Sequence, residues 1–444
     1  MDKMVSSKKS IGIIGAGFLG MTLALRLSRK GFNVTLIEAA AETGGLASPA
    51  KIDGYLWDQF YHVILLSDAH LLELLEEINL VDRIHWVQTK NGFYIDGHLY
   101  SMSNIVEFLA FPPLNPIDRL RLGLTIFYAS KIKSWERLEK ISATEWLIRL
   151  SGKNTFNKVW LPLLNSKLGE NYKLASASFI WAIIARMYAA RQSGLKKEMF
   201  GYVHGGYATI LERFQRYLDK AGVKTLCGTC VKNISNKTGG VQLETTQGRL
   251  LEFDKVILTI PCPSIPKLCP QLSPSEKQLF NEVKYQGVLC ASLLLRKPLA
   301  GYYITNIADG WIPFTGVIEM TALVDKENFD QNSLVYLPRY LTQEDPFWNK
   351  TFEEIQDEFL KALESMYLSF LRKDVLTFKI FKARHVLPIT TLNYSSELLP
   401  ANKTSLENVF VVNSAQLPNG TMNVNEIVGL ANRKVQEIVH LLSH

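Results

Sequence analysis

Gly15-Ala16-Gly17-Phe18-Leu19-Gly20 separates a short apolar run from an amphipathic one. Ser10 to Ile14 is apolar and rich in isoleucine, the pattern of a strand buried on both faces of a parallel sheet. Beyond the glycines, Leu19, Leu23 and Leu27 recur at helical spacing, and Gly31 supplies a stop. In such a strand–turn–helix unit the first glycine permits the tight turn. The second lets a pyrophosphate approach the backbone, and the third lets helix and strand pack closely. The helix N-terminus offers N–H donors and a dipole to phosphate charge. Asn33 to Ile37 reads as the next parallel strand, and Glu38 at its end is an acceptor for ribose hydroxyls. A carboxylate there opposes a 2′-phosphate, so the expected ligand carries an ADP half and is not NADP.

A second glycine pair, in Gly44-Gly45-Leu46-Ala47-Ser48, follows Glu38 within one loop. Alone it is a flexible turn. Together with the first motif it resembles the N-terminus of the flavin amine oxidase superfamily. That superfamily includes protoporphyrinogen oxidases, phytoene desaturases and monoamine oxidases, with UDP-galactopyranose mutases as more distant relatives. Gly201 to Tyr207, followed by Ile210, Leu211, Phe214 and Leu218, resembles the family's Gly-Gly-led helix. Val223 to Ile234 resembles its next strand, Val256 to Pro261 its apolar strand ending in proline, and Asn408 to Asn413 its final strand. In the last helix Val424, Val428, Ala431, Val435 and Ile438 share a face, and Asn423 with Glu426 has capping-box spacing.

The resemblance implies an α/β fold: a Rossmann-type FAD-binding domain from 8–60, 200–262 and 404–444, with an inserted mixed α+β substrate domain from 61–199 and 263–403. It implies FAD as cofactor, held by Gly15, Gly17, Phe18, Leu19 and Gly20, by Glu38, and by Gly44, Gly45 and Leu46. The Val231 backbone would meet the adenine. The family usually carries Gly-Asp after its last strand, whereas this chain has Asn413-Ser414. Ser414 retains a hydrogen-bonding group for the flavin there.

Within the inserted parts, helices are expected at Leu71–Leu80, Ser103–Ala110, Ile117–Leu138 and Phe352–Phe370. Strands are expected at Gly287–Leu295, Trp311–Val324 and Leu334–Leu341. The first insertion reads as mostly helical. A sheet roofed by helices beside a flavin makes a closed apolar chamber.

Catalytic side chains are harder to read, because in such proteins the flavin carries the chemistry. Trp57 to His62 resembles the family segment that passes the flavin ring, so His62 is a candidate to steer a proton, or else a packed core histidine. Glu319 is a lone acid on an apolar strand, either paired or functional. Arg339, Tyr340 and Tyr394 are candidates to hold an anionic or aromatic substrate, with structural contact as the plainer role. Lys297 is considered because many amine oxidases use a lysine near the flavin.

The formal charge of +7 is mild and no tail concentrates it, and no base-reading fold is visible, so a nucleic-acid partner is not expected. No apolar run reaches the ~20 residues of a spanning helix. Met1 to Lys9 lacks a signal-peptide core, so a cytoplasmic location is expected, with peripheral membrane contact as an option. In Ile117 to Lys140, basic residues interleave with Leu120, Leu124, Ile126, Phe127 and Tyr128. The preferred reading is a domain helix with a charged outer face; the alternative is an interfacial helix delivering a lipid-like substrate. Cys227 and Cys230 have redox spacing but lie in a strand-like run, and no metal set emerges from the five cysteines.

The expected activity is FAD-dependent oxidation of an apolar or amphipathic small molecule, with hydride passing to flavin N5. A UDP-galactopyranose mutase-like reaction without net redox change would need arginines for a diphosphate, with Arg186, Arg191 and Arg339 available. A non-enzymatic role like that of Rab GDP-dissociation inhibitors, which bind lipidated partners, is the third reading.

Overall fold

Ser10–Ile14 forms the middle of a five-stranded parallel sheet, flanked by Asn33–Ile37 on one side and Lys255–Leu258 on the other. Lys224–Leu226 and Val409–Val411 complete its edges. In register, Ile13 lies between Leu36 and Ile257, which explains the apolar centres of all three strands. The computed structural model describes residues 8–103, 107, 110–192, 199–419 and 422–443.

The helix Phe18–Arg29 leaves the first strand and ends before Gly31, whose φ of 92° suits only glycine comfortably. Its buried Leu23 and Leu27 share one core with Val428, Ala431 and Val435 of the last helix, Val424–Ser443. Each such side chain removed from water contributes roughly 1.5–3 kcal/mol, so the two ends of the chain are locked together mainly by apolar burial.

A second, seven-stranded sheet has the order Val375–Pro388, Tyr285–Leu295, Ser333–Leu341, Gly316–Glu319, Ile304–Ile307, Asn91–Ile95 and His98–Ser101. Tyr285–Leu295 is buried at every one of its 11 residues because both of its faces are covered. Leu289, Ala291 and Leu293 pack with Ile355, Phe359 and Leu363 of the helix Phe352–Met366. Cys290 and Leu294 point the other way, into a core with Trp57, Tyr303 and Tyr336. The period-2 alternation therefore separates a helix-covered face from one turned toward the Trp57–His62 segment.

The first insertion is mostly helical, as expected, but it also contributes strands. It gives two strands to this sheet and two more, Ile64–Leu65 and Ile84–Gln88, to a small sheet with Met199–Val203. Trp311–Val324 is extended only at Gly316–Glu319, after which Met320–Ala322 turns as a short 3₁₀ helix. Val223–Ile234 is two strands, broken at Cys227–Cys230 where Gly228 takes a φ of 62°. The cysteine pair thus sits in a turn, without a helix N-terminus, and the Cys227 thiol is pushed up by burial and by Glu38 and Glu42. The expected helix Ser103–Ala110 lies mostly outside the described residues.

The expected helix Ile117–Leu138 is observed as Pro116–Lys131, capped by the Asn115 side chain accepting from Asp118 N. It ends where Ile132 turns extended. Its outer face is not the charged one expected. Asp118, Leu122, Thr125 and Ala129 face inward, and large apolar side chains face water.

Candidate active site

Gly15 begins the cradle. Its φ is 104°, and a Cβ there would lie 2.6 Å from Thr259 Oγ1. That hydroxyl bonds the carbonyls of Ile14 and Gly15, tying the turn to the neighbouring strand. Gly20 acts from beneath: it is buried, and its Cβ would fall 1.9 Å from the Gly15 carbonyl oxygen. Gly17 faces open space, with only Gly45 Cα within 3.9 Å of a hypothetical Cβ. Gly44 N donates to Ala16 O at 2.8 Å, which brings the second glycine pair against the first. Gly44, with a φ of 126°, is confined by Leu211 and Ser48.

A cavity of about 490 Å³ starts at this cradle. Gly15, Gly17, Phe18, Leu19, Glu38, Gly44, Gly45, Leu46 and Ser414 all line it. Glu38 accepts from Ala16 N at 2.7 Å and from Ala40 N at 2.9 Å, so its carboxylate is oriented before any ribose arrives. Val231 is not a lining residue. It begins a strand just beyond Thr229, whose N–H is held 2.8 Å from the Glu38 carbonyl. Asn423, Val424 and Asn425 bring the N-terminus of the last helix to the cavity, and Asn423 Oδ1 accepts from Glu426 N at 3.0 Å.

Asn413 is buried and does structural work. Its Oδ1 accepts from Ala415 N at 3.1 Å, and its Nδ2 donates to Ile260 O at 2.9 Å. Ser414 is left at the cavity wall.

The far end of the cavity is walled by Tyr61, Tyr303 and Tyr340, with Val288, Ile304 and Val386. Lys167 enters it from the end of the helix Leu161–Leu168. Its ammonium donates to Tyr61 Oη at 2.9 Å and approaches Tyr340 Oη at 3.5 Å. It also lies 5.4 and 5.1 Å from the two ring centres. Burial works against its charge, but the two phenol oxygens more than offset that and hold its pKa above the ordinary lysine value. Among the described residues no carboxylate pairs with it. Tyr303 Oη, also buried, has no hydrogen-bond partner among the described residues. These groups fit a ligand that brings a polar group to this end.

His62 lines the cavity and stacks obliquely on Tyr207, with ring centres 4.8 Å apart. Burial lowers its pKa to about 4, so it is neutral at pH 7. Its Nδ1 lies 2.8 Å from the Phe60 carbonyl, an acceptor only. Nδ1 therefore carries the proton and Nε2 is the acceptor. Asp58, whose Oδ2 is 4.0 Å from Nδ1, is fully enclosed, and burial pushes its carboxyl up to about 8.

Glu319 is not at the cavity. Its two oxygens accept from the backbone N–H groups of Leu299, Ala300 and Gly301 at 2.7–3.0 Å, closing a surface loop against the sheet. Of the two readings, paired or catalytic, the lone acid is thus the paired one, satisfied by backbone donors and not placed for catalysis. Arg339 bonds Pro313 O and stacks on Phe347. Tyr394 bonds Ala415 O behind the flavin-side loop. Lys297 is exposed and remote from the cavity. Of these candidates only Tyr340 reaches it.

The family model described as flavin containing amine oxidoreductase matches residues 20–418. Zeta-carotene desaturase from Synechocystis is 23% identical over 428 residues, covering 84% of this chain and 85% of its own. An oxidoreductase from Methanosarcina mazei superposes with a TM-score of 0.74 at 19% identity, covering 96% of this chain and 100% of that one. Reduced UDP-galactopyranose mutase superposes equally well, with a TM-score of 0.75 at 14% identity over 98% of this chain and 96% of its own. The fold alone therefore does not separate oxidation from isomerisation. With the glycine cradle, the oriented Glu38 and the match over most of its length, the chain belongs to the flavin containing amine oxidoreductase family and is an FAD-dependent oxidoreductase.

Proposed function

We propose that this enzyme oxidises an amphipathic small molecule whose apolar part lies between the flavin and the aromatic end of the cavity. The observation that carries this reading is the continuity of that cavity, from the glycine cradle to a wall of tyrosines around one lysine. When bound, FAD supplies a hydride acceptor. Gly15, Gly17, Gly44 and Gly45 bring backbone close to its diphosphate, Glu38 takes the ribose, and the last helix presents N–H groups toward the ring. Val288, Ile304 and Val386 exclude water from the substrate. Lys167, with Tyr61 and Tyr340, holds the substrate's polar group and sets which carbon faces the flavin. His62, neutral with Nε2 as acceptor, is available to take a proton from substrate.

Among the described residues no unpaired arginine lines the cavity, as the diphosphate of the mutase reading would need. Arg186 lines the cavity but is bound to Asp68 at 2.7 Å, and Arg339 points elsewhere. The side chain of Arg191 is outside the described residues. Anaerobic mixing of the FAD-loaded enzyme with polyenes, porphyrinogens and long-chain amines is the test. Bleaching of the oxidised flavin with formation of an oxidised product is expected. A product isomeric with its substrate, formed only by prereduced enzyme, would refute the proposal.

A further inference from the structure

We propose that the helix Pro116–Lys131 is a docking surface for an anionic lipid bilayer. Its amphipathic sense is inverted. The face packed against the protein carries Asp118 and Thr125 beside Leu122 and Ala129. The face in water carries Ile117, Leu120, Leu124, Phe127 and Tyr128, each more than half exposed, the first two at 66% and 63%. Their spacing of three, four, three and one makes a single stripe on the helix, about 17 Å long at 1.5 Å per residue. A water-facing helix of a monomer does not gather its largest apolar side chains in this way.

The charges identify the occupant. Arg121 flanks the stripe, Lys131 ends it with its ammonium 5.2 Å over the Phe127 ring, and Lys133, Arg137 and Lys140 follow, all exposed. The acids of the same segment are withdrawn. Asp118 is buried against Asn115 and Asn154, and Glu139 is buried against Ser395. Only Glu136 remains in water, hydrogen-bonded to Ser134. An apolar stripe rimmed by cations fits acyl chains below anionic headgroups. A second copy of this chain would instead bring cations against cations. The helix packs on Ala177–Gln192, where Trp181 Nε1 donates to Ala129 O at 3.0 Å, and Arg186 of that same helix lines the cavity. The lipid surface would therefore lie one helix away from the substrate chamber. The docking surface stands independently of which reaction the chamber performs.

The test is co-sedimentation of the FAD-loaded full chain with phosphatidylcholine vesicles, with and without phosphatidylglycerol. The wild type should pellet with the phosphatidylglycerol vesicles and be released by salt. L120S/L124S/F127S should lower vesicle affinity roughly tenfold or more. Its flavin spectrum and melting temperature should be unchanged, since the three side chains are exposed. K131Q/K133Q should weaken binding mainly at low salt. Wild-type protein that stays in the supernatant with anionic vesicles overturns the proposal, as does a triple variant that pellets like wild type. A concentration-dependent dimer, seen by light scattering and lost in the triple variant without any vesicle binding, would assign the stripe to self-association and also overturn it.

Discussion

Gly17 and Gly20 are three residues apart in one motif, yet the structure separates their roles, and alanine at each tests that separation. At Gly17 φ is −73°, ordinary for any residue, and a Cβ would meet only Gly45 Cα at 3.9 Å. Replacing glycine by alanine at an N-cap costs some stability, while removing glycine's freedom in the unfolded chain returns about 0.4–1 kcal/mol. The two nearly cancel, so G17A apo-protein should unfold within about 0.5 kcal/mol of wild type. The added methyl projects where the diphosphate must approach. Forcing it there costs about 1–3 kcal/mol, by analogy with an overpacked core. FAD affinity should fall roughly 5- to 150-fold. At Gly20 the Cβ would lie 1.9 Å from Gly15 O and 3.1 Å from Gly15 C, both backbone. Helix and strand must then move apart, which costs about 3 kcal/mol or more of apo stability and also spoils the cradle. Urea denaturation of the two apo-proteins, with FAD titration followed by quenching of flavin fluorescence, measures both quantities. Apo-protein is required because bound FAD would itself stabilise the fold. Wild-type FAD affinity in G17A, or a wild-type urea midpoint in G20A, refutes the assignment.

Glu38→Ala should weaken FAD binding roughly tenfold or more, since each charge-assisted hydrogen bond is worth about 1.5–3 kcal/mol; E38Q should lose less, and equal wild-type affinity in both would take Glu38 off the ribose. K167M should keep FAD and fold while raising KM for the oxidised substrate at least tenfold, measured by steady-state kinetics, with K167R partly rescuing it; an unchanged KM removes Lys167 from substrate binding. The pKa of Asp58 is raised to about 8 in the folded chain, so the folded state keeps a proton that the unfolded state has lost between about pH 4 and 8. Its contribution therefore declines as pH rises through that window, while His62, lowered to about 4, adds stability as pH rises from about 4 to its unfolded pKa of about 6.5. D58N removes only the first slope, so its urea midpoint should gain on wild type from pH 6.5 to 8; parallel curves would show that Asp58 is ionised when folded.

The nucleotide half was legible because its rules are local. Gly15 to Gly20, Glu38 and the strands around them obey backbone constraints that act within a few residues. The chamber was not legible, because its members are assembled from afar. Lys167 lies at the end of a helix, where a cation reads as a complement to the helix dipole. Only the fold brings it to Tyr61 and Tyr340, 106 and 173 residues away in sequence. Tyr61 lay inside a segment that resembled the family's flavin-facing one, and Tyr340 was a candidate from the start. No sequence signal joined them. Glu319 shows the converse: an acid in an apolar run could be paired or functional, and three N–H groups of the loop 299–301 satisfy it. The outward stripe of Pro116–Lys131 was misread because periodicity gives an apolar face but not the direction in which it points.

The same distinction accounts for Asn413-Ser414, where the chain departs from the family's usual pair. Asn413 holds the start of a short 3₁₀ helix through Ala415 N and ties the last parallel strand to Ile260, next to Pro261 on the cavity wall. Glycine has no side chain for either bond, whereas here the loop is fixed by hydrogen bonding. With the loop fixed, Ser414 faces the cavity as a neutral group, and no carboxylate stands at that point. The N-terminal turns of Phe18–Arg29 and Val424–Ser443 both open on the cavity, where their N–H groups and dipoles favour the negative charge of a diphosphate.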